Sequence, residues 1–552
     1  MRLCRVLVAC VLFGCLLTPV LLPVGAALRS TSTVVSEADR IAGLAMNTVL
    51  LAAIASVIAV PLGVFIALVL ERVRVPGAGV LRVFVLIGLF VPLPIYAVAW
   101  QVILGTWLPP LSLAPGELAW RPWSQGLLPA GWVHGMAGLP WVVWIVSAGL
   151  RKADRVLEED ALLTGGPQAV LRNVLLPRAM LAAIVAWGWV VVQAATEIPV
   201  TDAMMVRTFA EEVYTQLVGA LDGYASAVIV VVPAWIAAVG IGGVLIQRTD
   251  RVFGQAPTEA GQPIALRLTR TQQIPCIMVV WFLVLMMAAL PFVALVWKAG
   301  GGSSRIGWDG LTLLTELRKV LRTDGTVLAL SLLSAIGSGV IAAGLAWLAA
   351  WLACHSRWFG RGLFALCVAL AVTPGPLVGL GLKEAIGLLV DAEEWALNQS
   401  GVTLEFPPLR SALYDQPSPV PVMWAAVVRL FPVAVVIIWP ALRAIPRDLI
   451  EAAKLDGFGM IGEWRYVVIP LTAPAIVQAA LAVTALSLGE VSAGKLVNPP
   501  FRPAYILRLF DQMHYGTDST VAALCLLQIA VTVLLALLLM AAFRPPKPRR
   551  EF

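Results

Sequence analysis

Apolar runs long enough to cross a bilayer constrain a fold more tightly than any other sequence feature. Hydrocarbon offers the backbone no water, so only helices or closed barrels, which satisfy their own hydrogen bonds, can span it. A core about 30 Å thick takes about 20 helical residues. This 552-residue chain reads as a succession of such runs: Val6 to Val24, then approximately 44–70, 81–107, 128–150, 178–200 and 225–246, then 275–297, 326–353, 362–388, 421–441, 471–490 and 519–542. With 60% hydrophobic and only 13% charged residues, the chain has too little polar surface for a soluble globule. The expectation is an all-α polytopic membrane protein.

The first run leaves two readings open. Met1 to Arg5 is basic and Gly25-Ala26-Ala27 follows the apolar stretch, as in a cleaved signal peptide. The stretch is also nearly long enough to remain as a span, which is the favoured reading.

A net charge of +7 could point to nucleic acid, but the basic residues sit in short loops rather than on one stripe. Most of the 39 Lys and Arg fall on one side of the expected topology, which marks that side as cytoplasmic. No nucleic-acid partner is expected. Seven cysteines lie in or beside apolar runs without paired spacing, and His134, His355 and His514 are scattered singly, so neither a disulfide framework nor a metal site is expected. There is no Gly-x-x-x-x-Gly-Lys-Ser/Thr phosphate loop, no HExxH pair and no nucleophile elbow. No catalytic residue and no resident cofactor are therefore expected.

One charged island lies between two apolar runs: Asp448-Leu-Ile-Glu451-Ala452-Ala453-Lys-Leu-Asp456-Gly457-Phe-Gly459, continuing to Arg465 and Ile469-Pro470. Pro446 suits the first position of a helix, Glu451 to Leu455 are good helix formers, and Gly457 stands where a left-handed terminating residue is wanted. A helix so placed lies in water and presents a face to a soluble partner. A second copy stands upstream in the same register. Glu158 to Gly166 falls on Glu451 to Gly459, Arg172 on Arg465 and Pro177 on Pro470, with 177 − 158 = 470 − 451 = 19. This copy is degenerate: Glu159 and Asp160 replace two alanines, and Thr164 stands where the Gly belongs, leaving Gly165 as an alternative turn.

Beyond each copy a carboxylate recurs, Glu197 at 20 residues past Pro177 and Glu490 at 20 past Pro470. A charge in lipid costs about 2.5–3.5 kcal/mol, so both should face an axis or a wet cavity. Thr196 and Asp202 accompany one, Ser492 and Lys495 the other. Capping of helix ends, or hydrogen bonds between halves, is the alternative role. Lys383, Glu384 and Arg429 are the other charges well inside runs, and the two cations have stems long enough to snorkel. Phe90-Val-Pro92-Leu-Pro94 corresponds to Val372-Thr-Pro374-Gly-Pro376, and these prolines break their runs. Together the repeats indicate an internal duplication. A first half covers 1–246 with its charged loop at 151–177, a polar linker covers 247–273, and a second half covers 274–552 with its loop at 442–470.

The pattern Glu451-Ala452-Ala453, Gly457, Val467, Ile469 and Pro470 resembles the cytoplasmic coupling loop of ABC importer permeases. Over almost its whole length the chain resembles the fused two-half permeases of type I ABC importers. Ser487-Leu-Gly489-Glu490 and Met513-His514-Tyr515-Gly516 with Val521-Ala522-Ala523-Leu524 resemble the closing segments of the ferric-iron family, with thiamine permeases next. The resemblance implies two tandem six-helix domains about a pseudo-twofold axis, in a bacterial inner membrane. It implies ATPase coupling through Glu158, Thr164, Gly165, Gly166, Pro177, Glu451, Ala452, Ala453, Gly457, Gly459 and Pro470; the repeated carboxylates, apart from the resemblance, suggest a pathway lined by Glu197, Glu490, Thr196 and Ser492. The partners would be two copies of a cytosolic ABC ATPase, which would hold ATP and magnesium, and a periplasmic or extracellular solute-binding protein. Thiamine, polyamine, phosphonate or sulfate are alternative solutes, and a secondary transporter is the alternative class.

Overall fold

The computed structural model describes residues 2–29, 38–108, 123–151, 155–219, 240, 243, 269–302, 307–402, 404–498, 503–515 and 518–542. Among them every regular element is a helix. Among the described residues nine helices are long and apolar enough to cross a membrane, or eleven when two sharply bent pairs each count as one span. The expected run at 225–246 and most of the 247–273 linker fall outside the described residues.

In the first half lie α1 (Val6–Gly25), α2 (Ala38–Arg72), α3 (Ala78–Phe90), α4 (Leu93–Trp107), α5 (Leu127–Arg151), α6 (Arg155–Ala169) and α7 (Leu176–Thr196). In the second lie α8 (Arg270–Ala299), α9 (Gly310–His355), α10 (Arg357–Val372), α11 (Gly375–Ser400), α12 (Val420–Arg443), α13 (Arg447–Leu455), α14 (Ile469–Ser487), α15 (Tyr505–Met513) and α16 (Ser519–Ala542). The same packing triad recurs: α2, α5 and α7 pack on one another in the first half, as α9, α12 and α14 do in the second. Small residues allow this closeness. Ala55 and Ala59 on α2 face Gly135 and Gly138 on α5, where a side chain would meet the neighbouring helix.

The runs expected at 81–107 and 362–388 are not straight spans. The pair α3 and α4 turns through 106°, and α10 and α11 through 108°. The cause is local and repeated. Val91 (ψ 122°) and Thr373 (ψ 124°) are extended, as residues before proline must be, and Pro92 and Pro374 are extended after them. Each helix then restarts with a second proline, Pro94 or Pro376, in its first turn. Helix α11 also runs on to Ser400, past the end of the run expected at 362–388.

The opening helix of each half packs across the division expected between 1–246 and 274–552. Helix α1 lies on the second half, where Leu12, Leu16 and Val20 join its core and the Trp424 indole donates to the Cys15 carbonyl at 2.6 Å. Gly381 on α11 makes room for it, since a side chain there would fall on the Pro19 carbonyl. Helix α8 lies on the first half, with Val280, Val284 and Met287 in that core and Trp281 donating to the Pro76 carbonyl at 3.3 Å. Each half is thus braced by the other's opening helix.

Candidate functional site between the halves

Two loop helices at one end of the bundle and a charged cavity between the halves form the site. The second-half loop is the more regular. Helix α13 starts after Pro446, which is extended and caps the helix from outside rather than occupying its first turn. It ends on Gly457 at φ 81°. The Phe458 amide donates to the Ala453 carbonyl at 3.0 Å and the Gly457 amide to the Lys454 carbonyl at 3.1 Å, which satisfies the last carbonyls. Gly459 is extended, not left-handed, and opens the next turn by accepting from the Glu463 amide at 2.9 Å. Ala453 faces inward, whereas Glu451 and Ala452 face solvent.

In the first-half loop the left-handed residue is Gly166 (φ 70°), not Gly165. Thr164, lacking that freedom, turns its hydroxyl onto the Asp160 carbonyl at 2.8 Å. Glu158 is not at the surface. It is 1% exposed and pairs with Arg72, equally buried, at 2.9 Å, while Arg72 also donates to the Leu150 carbonyl at 2.8 Å. The second loop is held differently: Trp464 packs edge-on against Trp347 and Trp351 at 5.1 and 4.9 Å. Both loops then pass through a π-helical turn, Val170–Leu175 or Trp464–Val468, into a helix with Pro177 or Pro470 in its first turn. Their tips carry Leu163 and Leu455, 87% and 89% exposed. Each of the two loops thus ends on an exposed leucine.

At the far ends of α7 and α14 the two predicted carboxylates meet. Neither is inside its helix. Glu197 is the extended residue that ends α7 (φ −101°, ψ 144°), and Glu490 lies in the turn after α14. Between them stands Arg429 of α12, donating to Glu197 at 2.5 Å and to the Thr373 carbonyl at 2.8 Å, and lying 3.5 Å from Glu490. Ser492 donates to Glu197 at 2.9 Å, and Glu490 accepts from the Ala493 amide at 2.9 Å. Glu197, Arg429 and Glu490 line a cavity of about 130 Å³, with Trp141, Trp189, Gln193 and Thr196 on its wall, whereas Ser492 reaches it only through its bond to Glu197. The Thr196 hydroxyl is turned onto the Val192 carbonyl of its own helix at 2.8 Å.

Arg429 therefore does not snorkel. The signal for it was present: it is the one charge in the run 421–441, and a lone cation in a span needs a carboxylate. Arg72 was missed because it closes an apolar run beside Glu71, where a basic loop residue is unremarked.

Asp202 and Lys495, also matched between halves, lie away from the cavity around α15. Asp202 pairs with His514 at 2.6 Å, and Lys495 with Asp511 at 3.4 Å. The Lys495 ammonium also sits over the rings of Phe510 and, from the first half, Tyr214.

Fold and site define a multi-pass helical membrane protein whose charged cavity lies between repeated triads and whose loop helices face outward at one end. Residues 342–546 match the family model described as binding-protein-dependent transport system inner membrane component. No curated protein matches the chain. The matched segment lies in the second half of the chain, and the family it describes is one of membrane transport subunits. Permeases of this family work in general with an ATPase and a solute-binding protein.

Proposed function

We propose that this chain is the fused, two-half translocation subunit of an ATP-driven importer in a bacterial inner membrane, with the loops at 151–177 and 442–470 on the cytoplasmic side. One observation carries the reading: two loop helices 293 residues apart, each with a left-handed glycine, a bare leucine tip, a π-helical turn and a proline-started span. A motor built of two identical ATPase copies needs two handles in equivalent places. Closure of that pair moves α13 and α6, and through the rigid helices that follow, the Glu197 and Glu490 ends of the cavity. Glu451, Ala452, Gly457 and Gly459 serve as the second handle's contact surface and turn. In the first handle Thr164, Gly165 and Gly166 form the contact, while Glu158 anchors it from inside.

Tandem duplication accounts for the repeated triads, the paired 106° and 108° bends and the paired π-helical turns. The extension of α11 supports docking of a solute-binding protein outside. Glu393 there accepts from the Leu409 and Arg410 amides at 2.8 Å each, and Arg410 pairs with Asp415 at 3.0 Å, which holds the outer segment in one shape. Ferric iron is the solute the sequence resemblance favours, with thiamine or another small polar solute as the alternative. A secondary transporter would have no use for the two handles.

The test is uptake by liposomes holding this chain with its copurifying ATPase and binding protein. Gly457→Asp is expected to abolish uptake while the amount of inserted chain stays unchanged; normal uptake by this variant would contradict the assignment.

A further inference from the structure

The geometry points to Arg429 as a tethered counter-ion that closes the pathway and competes with a cationic solute for Glu197. This rests on the permease function proposed above. The bonds divide unequally between the halves: Arg429, Thr373, Glu490 and Ser492 belong to the second, and Glu197 alone to the first. When the halves part, Arg429 keeps its Thr373 carbonyl and Glu490. Glu197 loses the guanidinium at 2.5 Å and the Ser492 hydroxyl at 2.9 Å together. A carboxylate stripped of its partner within a span is costly. Its position at the carboxyl end of α7, the negative end of the helix dipole, adds to that cost.

A cation entering the cavity relieves the charge, and the returning Arg429 takes the carboxylate back and expels the cation. An anion meets no free counterpart, because Arg429 stays with Glu490 in both states. Trp141 and Trp189, ring centroids 4.7 Å apart on the cavity wall, add aromatic faces that suit a cation. The ligand chemistry is that of a small cation, either a metal ion or an organic amine.

Gln193 lines the same cavity and reports on it. In a cysteine-free version of the full chain, assembled with its ATPase in membrane vesicles, Gln193→Cys is labelled with a cationic and an anionic methanethiosulfonate reagent, with and without ATP. During ATP turnover the cationic reagent is expected to react faster than the anionic one by on the order of a hundredfold, as a unit charge ~10 Å away that attracts one and repels the other gives at an effective dielectric near 20. Glu197→Gln removes that preference. Arg429→Gln gives fast cationic labelling even without ATP, and Arg429→Lys restores the ATP requirement. If Arg429→Gln fails to reach the membrane, the Glu197→Gln and Arg429→Lys arms still decide. Labelling that responds to ATP but shows the same cationic-to-anionic ratio in every variant overturns the lock and leaves the permease function standing. Labelling indifferent to ATP throughout overturns both. Protection by gallium(III) identifies a metal-ion solute and protection by 1,4-diaminobutane an organic one; protection by sulfate and by neither cation overturns the proposal.

Discussion

At the scale of single residues, two buried or half-buried charge pairs make measurable claims. Arg72 and Glu158 are each 1% exposed, so removing one leaves the other as an uncompensated buried charge. Arg72→Met is expected to lower stability by about 3–5 kcal/mol, whereas Arg72→Met with Glu158→Leu should recover much of the loss. Thermal unfolding in detergent checks this, and equal losses in single and double variants would refute it. His514 makes a claim about pH. Its hydrogen bond to Asp202 is the main cause that holds the imidazole above its ordinary value of 6.5, with partial burial and, less, Lys495 opposing. A raised value means the bond between halves is fully present below pH 6.5 and weakens as pH rises through the raised value. Melting of the native chain should therefore fall between pH 6 and pH 8 by more than that of His514→Gln. The sequence made Glu197 and Glu490 legible because spacing repeats, but it did not show that one guanidinium serves both. That pairing joins residues 232 positions apart, and no local pattern encodes it.

At the scale of elements, much was legible for a physical reason: helix starts and stops are local. Gly457 follows good helix formers and takes the left-handed conformation its place demands. Any side chain there costs about 1–2 kcal/mol in backbone strain, and Asp adds a negative charge at the negative end of the helix dipole, so Gly457→Ala should weaken uptake less than Gly457→Asp does. The bends at Pro92 and Pro374 were legible as breaks, but their angles were not, because long-range packing of α4 on α8 and of α11 on α1 sets them. Least legible was the exchange of α1 and α8 between halves. An all-apolar helix carries no stripe that says which neighbour it will choose. Gly381 supplies that information from the partner's side. Gly381→Leu is expected to displace α1, read as loss of a disulfide engineered between Cys15 and Trp424→Cys. Undiminished cross-linking would show that the close approach at Pro19 is not what seats the helix.

For the whole molecule, the exchanged opening helices, the shared cavity and the α15 contacts tie the two halves into one body, while the loops, anchored on it through Glu158 and Trp464, turn bare leucine tips outward. This arrangement suits a device driven from one end and opened at the other. The central claim is that both loop helices are handles for a nucleotide-hydrolysing partner. A photo-reactive amino acid placed at Leu163 and, separately, at Leu455 of the intact assembly tests it most directly. The account predicts that both positions cross-link to the same ATPase subunit. Cross-links from neither position to an ATPase, with the reagents instead reachable from outside the cell, would contradict it.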